Sequence, residues 1–371
     1  MDRVLSLMKE QAMAVTSDDE VFIREPEKAE EEDNPHVFTV PSADEVKELL
    51  SDLEKRILAY DKRVISVNEV EWEEIVSKRE ILNSKGLSVS DKSRIHVLIA
   101  ECAVMEGEEV KDSFDYKAVE KICEFDREKF VKKLCDQALN KLGATSYKSG
   151  NYPVIIEKDA MSDLLGAFCY LYSGDLISKG ISPLRDKLGQ KIFSEKITVI
   201  DDPRCKDSYE TDNYDDEGCP TRKKEVVKDG VFELALHNSK TAAKMNTVST
   251  GNGFKAGYSS SVGVSPLNCY ILPGEKSLDE LMAEMGEGLV IDDLAGLHAG
   301  IDAVTGNFSL QCAGYLVEKG KKSRSISLIT IADNFLELMK KVREVGGDLE
   351  WGLSNVVAPS ILFSECAIGG E

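Results

Sequence analysis

Ile95-His96-Val97-Leu98-Ile99-Ala100-Glu101-Cys102-Ala103-Val104-Met105-Glu106-Gly107 lies in a run from Val64 to Val110 where apolar side chains return at alternate positions, as at Ile95, Val97 and Ile99. A period of two puts successive side chains on opposite faces of an extended chain. The run is interrupted at Asn83-Ser84-Lys85-Gly86 and at Glu106-Gly107, residues that tight turns favour. It therefore predicts short antiparallel strands joined by hairpins.

On either side the period becomes that of a helix. Ser42-Ala43-Asp44-Glu45, directly after Pro41, is a capping box, in which the Ser42 hydroxyl accepts a backbone N–H three residues on while Glu45 reaches back. Val46, Leu49, Leu50, Leu53, Ile57 and Leu58 then form one stripe that must be buried. Asp126 opens a second helix, with Phe130, Val131, Leu134, Ala138 and Leu142 on one face and Gly143 just beyond its end. Tyr152 to Ile156 reads as a buried strand and Met161 to Tyr172 as a core helix.

Beyond Ile197 strands and turns prevail. Asp229-Gly230 suits a type I′ hairpin, since both positions tolerate positive φ. Ser277 to Glu280 is another capping box, followed by Leu281, Met282 and Met285 and stopped at Gly286; Asp333 is expected to cap a last helix ending near Gly346-Gly347. The expected fold class is α+β in two domains. Residues 1–40 form an N-terminal extension and acidic linker, the linker being Glu25 to Pro35. Residues 41–190 form an antiparallel sheet with amphipathic helices, and residues 191–371 a mostly-β, barrel- or sandwich-like domain with a few helices. The stretch with Val4, Leu5, Leu7 and Met8 either docks as a helix or frays.

Composition narrows the function. A chain of 371 residues exceeds the roughly 150 of a single domain. With 46 basic against 67 acidic residues the net charge is -21, and such a surface repels phosphate, which argues against direct nucleic-acid binding and anionic lipid. Thr221-Arg222-Lys223-Lys224 is accordingly read as a solvated turn. Nine cysteines without a C-x-x-C pair indicate neither a disulfide framework nor a zinc knuckle. Neither a secretory h-region nor an 18-residue apolar run occurs, so a cytoplasmic protein off the membrane is expected.

Catalytic patterns are scarce. Only His36, His96, His237 and His298 exist, none one helical turn from another, and no G-x-S-x-G is found. The acidic run from Asp201 to Glu217 lacks the alternation of a calcium loop and is read as a solvated loop. Ser249-Thr250-Gly251-Asn252-Gly253 has no G-K-[ST] and is read as a backbone turn at a cleft.

The second half carries a series of ordered blocks: Val199-Ile200-Asp201-Asp202-Pro203, Asp215-Asp216-Glu217-Gly218, Val226 to Val231, Ser249-Thr250-Gly251, Met285 to Val290, Asp302 to Ser309, Gly314 to Gly320 and Ile331 to Asn334. Together they resemble the TldD/PmbA family, whose historical name is modulator of DNA gyrase. Residues 40 to 200 are similar with weaker motifs, and the resemblance makes the chain shorter at its N-terminus than family members usually are.

The resemblance implies two branches. TldD-type members resemble metalloproteases with H-E-x-x-x-H just before a Gly-Asp pair and a cysteine ligand near the C-terminus. With Gly174-Asp175 setting the register, those positions here read Leu165, Gly166 and Tyr170, and Ser354 to Ser360 contains no cysteine. The chain thus looks like the PmbA (TldE) branch, a non-catalytic subunit without metal or cofactor of its own. Zinc is then expected only in a TldD-like partner, with peptides or unfolded protein as substrate. Thr250, Gly251, Asn252, Gly253, Thr305, Gly306 and Asn307 are candidates for a peptide groove, because glycine lets a backbone approach closely. Two alternatives stay open: a peptidase using Cys169 or Cys312, and a metal-independent homodimer that binds peptides.

Overall fold

The computed structural model describes residues 2–14, 22–30, 34–257 and 259–371; residues 31–33 of the acidic linker lie outside the described residues. The N-terminal α1 (Asp2–Ala14) forms but does not bury its apolar stripe: Val4, Leu5, Leu7 and Met8 are each half exposed or more.

The first sheet consists of β1 (Val64–Leu82), β2 (Ser88–Glu106) and β3 (Glu109–Ala118), antiparallel and in that order. Instead of several short strands, β1 and β2 run 19 residues each and turn at Asn83 to Leu87, where Asn83 Oδ1 accepts the N–H of Lys85 and of Leu87. Leu98, Ala100, Cys102 and Val104 of β2 are wholly buried with Leu49, Leu53 and Ile57 of α2 (Ala43–Tyr60) and with Leu134, Cys135 and Ala138 of α3 (Arg127–Lys141). Each such leucine contributes about 1.5–3 kcal/mol on leaving water. The Ser42–Glu45 capping box and the Asp126 cap both form as expected.

A second sheet closes on itself. β4 (Gly150–Ile156) pairs in parallel with β9 (Gly288–Ala295), which pairs with β11 (Asn307–Glu318), then β12 (Lys321–Asn334), then β15 (Ile361–Gly369), which returns to β4. β10 (Ile301–Asp302) adds to β11 and β13 (Val342–Val345) to β15. Alternation sorts the side chains: Val154 and Ile156 join the largest core, while Ile155 lies beneath Leu281, Met282 and Met285 of α7 (Leu278–Met285). A small third sheet of β14 (Val356–Val357), β8 (Cys269–Ile271), β5 (Val199–Asp201), β6 (Lys224–Lys228) and β7 (Val231–Phe232) shares the largest core.

Two expectations need correction. The last helix, α8 (Phe335–Lys340), is capped by Asn334 rather than Asp333 and stops well short of Gly346, because Val342 to Val345 pair with β15. Residues 150–168, expected with the N-terminal unit, belong to the ring and its core, so a division at residue 190 cuts through one hydrophobic cluster. The unbroken apolar strand Val154-Ile155-Ile156 is buried on both faces, as a strand with parallel pairing requires.

Candidate functional site

α4 (Lys158–Phe168) leaves the end of β4 and passes at Cys169–Tyr172 into a 3-10 turn, followed by α5 (Gly174–Ser178). Leu165 is wholly buried in the largest core, and Phe168 stacks on Phe335 at 4.6 Å. Gly166 faces Val356, whose Cβ would lie 3.9 Å from a Cβ placed on the glycine. Tyr170 points outward, 52% exposed. The Ala358 N–H donates to Ser162 Oγ at 2.8 Å, so the helix and the Ser354–Ser360 stretch are packed together.

The donor set at this place does not fit zinc. Hydrolytic zinc needs three protein ligands and an open position for water, whereas leucine and glycine side chains carry no donor atom and Tyr170 faces away from the buried Leu165. Among the described residues, no three or more His, Cys, Asp or Glu side chains gather closely enough to hold a metal ion. Cys169 donates its thiol to the Gly166 carbonyl at 3.1 Å, and burial pushes its pKa up to about 12. Burial raises Cys312 to about 12 as well. Thiols of that kind stay protonated at neutral pH and are inert as nucleophiles.

Thr250 to Gly253 sit in a buried polar network. Lys224 Nζ on β6 donates to Asn252 Oδ1 at 2.9 Å and to the Thr250 carbonyl at 3.1 Å, and pairs with Asp201 Oδ2 at 2.8 Å. Asn252 Nδ2 donates to Asp201 Oδ2 at 2.7 Å, and the Leu267 N–H to Asp201 Oδ1 at 2.7 Å. Thr250 Oγ1 accepts the His237 N–H at 2.7 Å. The Asp215 carboxylate accepts N–H groups from Glu217, Cys219 and Gly253, yet burial still raises it to about 6. Gly251 has φ +72, and a Cβ there would meet the Pro220 carbonyl oxygen at 2.6 Å.

The expected solvated acidic loop and solvated basic turn are thus corrected: Asp201 and Asp215 are fully buried and Lys224 nearly so. The carboxylates survive burial because N–H groups and one ammonium satisfy them. The tip of the β1–β2 hairpin docks on the same loop, where Arg79 pairs with Asp91, Asp212 and Asp216. Burial pushes Asp212 up, against the pull of Arg79.

Thr305-Gly306-Asn307 form the turn from β10 into β11, with Thr305 and Asn307 exposed and Gly306 buried. Asp302 Oδ1 accepts the N–H of Val304 and Thr305, and Asn334 Nδ2 donates to the Thr305 carbonyl at 2.8 Å and to Asn307 Oδ1 at 3.0 Å. Among the described residues no hydrogen bond joins this turn to Thr250–Gly253.

Sequence reading missed a cleft of about 620 Å³ between α3 and β3 on one side and the ring on the other, lined among others by Phe114, Lys133, Glu157, Asp292, Tyr315 and Lys322. Burial, then Asp292 and Asp159, raise Glu157 to about 7. A neighbouring cleft of about 350 Å³ runs past Val119, Phe125, Tyr209 and Glu350, and Lys133 lines both. The only trace in the sequence is position: Glu157 directly follows the buried strand, while Asp292 and Asp293 interrupt the apolar part of β9.

Residues 37–142 match the PmbA/TldA metallopeptidase central domain, and residues 149–370 match the PmbA/TldA metallopeptidase C-terminal domain. The chain belongs to the PmbA/TldD family. Metalloprotease PmbA of Escherichia coli O157:H7 is 27% identical over 331 residues, spanning 89% of this chain and 71% of that protein. A metalloprotease TldD homolog of Buchnera aphidicola subsp. Acyrthosiphon pisum is 30% identical over 215 residues, 57% of this chain and 44% of the relative. Among solved structures, TldE from Thermococcus kodakarensis superposes with a TM-score of 0.86 at 28% identity, covering 97% of this chain and 82% of that one. A modulator of a DNA gyrase from Thermotoga maritima gives 0.88 at 30% identity with the same coverages, 97% and 82%. Both boundaries of the family's domains fall beside the change of core between Leu142 and Gly150.

Proposed function

We propose that this PmbA/TldD-family chain is the partner subunit of a TldD-type metalloprotease, contributing surface and substrate contacts while the zinc and its general base reside in the partner. One observation carries this reading: Leu165, at the place of the first motif histidine, is wholly buried in hydrocarbon, with Gly166 against Val356 and Tyr170 turned to solvent. Placing a histidine ligand at Leu165 requires opening a packed core. The raised thiols of Cys169 and Cys312 weigh against a cysteine centre in its place.

The pair is taken to cleave peptides or unfolded protein in the cytoplasm. Nine unpaired cysteines suit a reducing compartment, and among the described residues no helix is long and apolar enough to cross a membrane. Within the groove the two candidate segments have unequal parts. Thr305 and Asn307 are exposed and can meet a peptide, whereas Gly306 and Thr250–Gly253 are buried and serve to hold their own turns.

The test is affinity recovery of the tagged chain from its native source, with hydrolysis of an unfolded reporter protein assayed on the chain alone and on the recovered complex. A co-eluting protein with H-E-x-x-x-H, and hydrolysis only by the complex, are expected. Hydrolysis by the isolated chain, or recovery solely with itself, overturns the proposal.

A further inference from the structure

The cleft of about 620 Å³ between α3, β3 and the ring has a floor built from neighbouring strands. β4 pairs with β9 so that Ile155 stands beside Val290 and Ile156 beside Ile291, and Glu157 and Asp292 come next on the two chains. Asp292 is also the extra residue of a bulge, since Ile291 pairs with Gly314 and Asp293 with Ala313. A bulge of this kind re-aims a side chain. Tyr315 lies one strand further on, opposite Val290. It is only 6% exposed and lines the cleft, and among the described residues its hydroxyl has no hydrogen-bond partner. A polar group on a buried side chain is costly to leave unpaired, so this hydroxyl calls for a partner from within the cleft.

The charges around this floor are unevenly matched. Of the lysines that line the cleft, Lys133 pairs with Asp115 at 3.2 Å, Lys111 with Glu109 at 3.2 Å and Lys158 with Glu350, while Lys141 donates to the Asp112 carbonyl at 3.0 Å. Lys322 differs: its ammonium stands 4.3 Å from the centre of the Tyr315 ring, and among the described residues it has no carboxylate within ion-pair distance. Among those residues Glu157 and Asp292 likewise pair with no cation and accept no hydrogen bond from another residue. The two carboxylates repel each other, and with burial this keeps a proton on Glu157 up to about pH 7. Two carboxylates, a phenol hydroxyl and one ammonium therefore surround open space, and among the described residues no donor set there is close enough for a metal ion.

We propose that this cleft binds a small dipolar ligand, an α-amino acid or a short peptide with free ends, its ammonium held by Glu157, Asp292 and Tyr315 Oη and its carboxylate by Lys322. An ammonium has three N–H donors and no acceptor, which two carboxylates and a phenol oxygen match. A ligand with positive charge alone leaves Lys322 unpaired, and one with negative charge alone meets the carboxylates; opposite charges on one small molecule satisfy both. Phe114, 52% exposed on the facing wall, offers apolar contact to a side chain. The volume lies within the roughly 300–1,000 Å³ of small-molecule sites. The site stands at the start of α4, whereas Leu165 lies about 10 Å further along that helix. The inference is independent of the partner-subunit reading and adds a ligand site to it.

The test is calorimetric titration of the full chain at low salt with phenylalanine, with the tripeptide Ala-Phe-Ala bearing free ends, and with that tripeptide acetylated at its amino end or amidated at its carboxyl end. One-site binding of phenylalanine, of the free tripeptide or of both is expected, and which of them binds names the source of the ligand. Where the tripeptide binds, either cap is expected to weaken it at least about tenfold, the loss of a charge-assisted hydrogen bond; where phenylalanine binds, its N-acetyl and amide forms are expected to do the same. Glu157→Gln with Asp292→Asn is expected to remove the effect of acetylation and Lys322→Gln that of amidation, and thermal melts check that both variants fold. Capped and free forms binding the original chain alike overturns the proposal, as does full-strength binding by the folded double variant. Absence of binding by both free probes also overturns it, and leaves the subunit reading, whose readout is recovery of a partner, standing.

Discussion

Lys224 shows how a single residue departs from its sequence context. In Thr221-Arg222-Lys223-Lys224 it belongs to a basic run that composition assigns to solvent, yet its ammonium is buried against Asp201 and Asn252. Its partners stand too far along the chain for any local pattern to couple them. Because a buried pair is costly to break from one side, Lys224→Ala is expected to lower unfolding free energy by about 3–5 kcal/mol, measured by urea denaturation. Lys223→Ala, beside it but half exposed, is expected to lower it by less than about 1 kcal/mol. Leu165, Gly166 and Tyr170 were legible in another way: side-chain chemistry alone says what they lack as ligands, and the structure adds that the first is sealed in the core.

At the scale of elements, local signals read well. The capping boxes at Ser42 and Ser277 and the Asp126 cap all form, since each needs only residues within one turn. Asp229 and Gly230 take φ 46 and 79, as a type I′ turn demands. Ser42→Ala is expected to destabilise the chain by about 1 kcal/mol in thermal or urea unfolding. Gly230→Ala is expected to cost more than a cap, because its Cβ would lie 2.4 Å from the Phe193 carbonyl oxygen in addition to the positive φ. Asn334 took the cap expected of Asp333, a shift of one residue that propensity does not resolve, since both side chains are good caps. The ring was not legible: β4 pairs with β9 and β15, strands distant in sequence, and nothing in an apolar pentapeptide names its partners.

For the whole molecule, docking of the two cores creates what neither half encodes, namely the cleft holding Glu157 and Asp292. Burial raises both Glu157 and Asp292, so there the folded chain holds protons that the unfolded chain releases. The sign follows: between the ordinary carboxylate range near 4 and the value of about 7 for Glu157, stability falls as pH rises. Asp215, raised to about 6, acts in the same direction, whereas Glu350, held at about 2 chiefly by hydrogen bonds from Lys117 and Lys158 against the effect of burial, contributes its dependence below pH 5. Glu157→Gln is expected to reduce the loss of stability from pH 5 to 7, followed by chemical denaturation at each pH; an unchanged slope contradicts the assignment.

The proposed partner role turns on the side chains at Leu165, Gly166 and Tyr170, and metal content tests it directly. After equilibration of the purified chain with excess zinc and exhaustive dialysis, elemental analysis is expected to find far less than one zinc per chain. A full equivalent retained by the original chain and lost on substituting Cys169 or Tyr170 would contradict it.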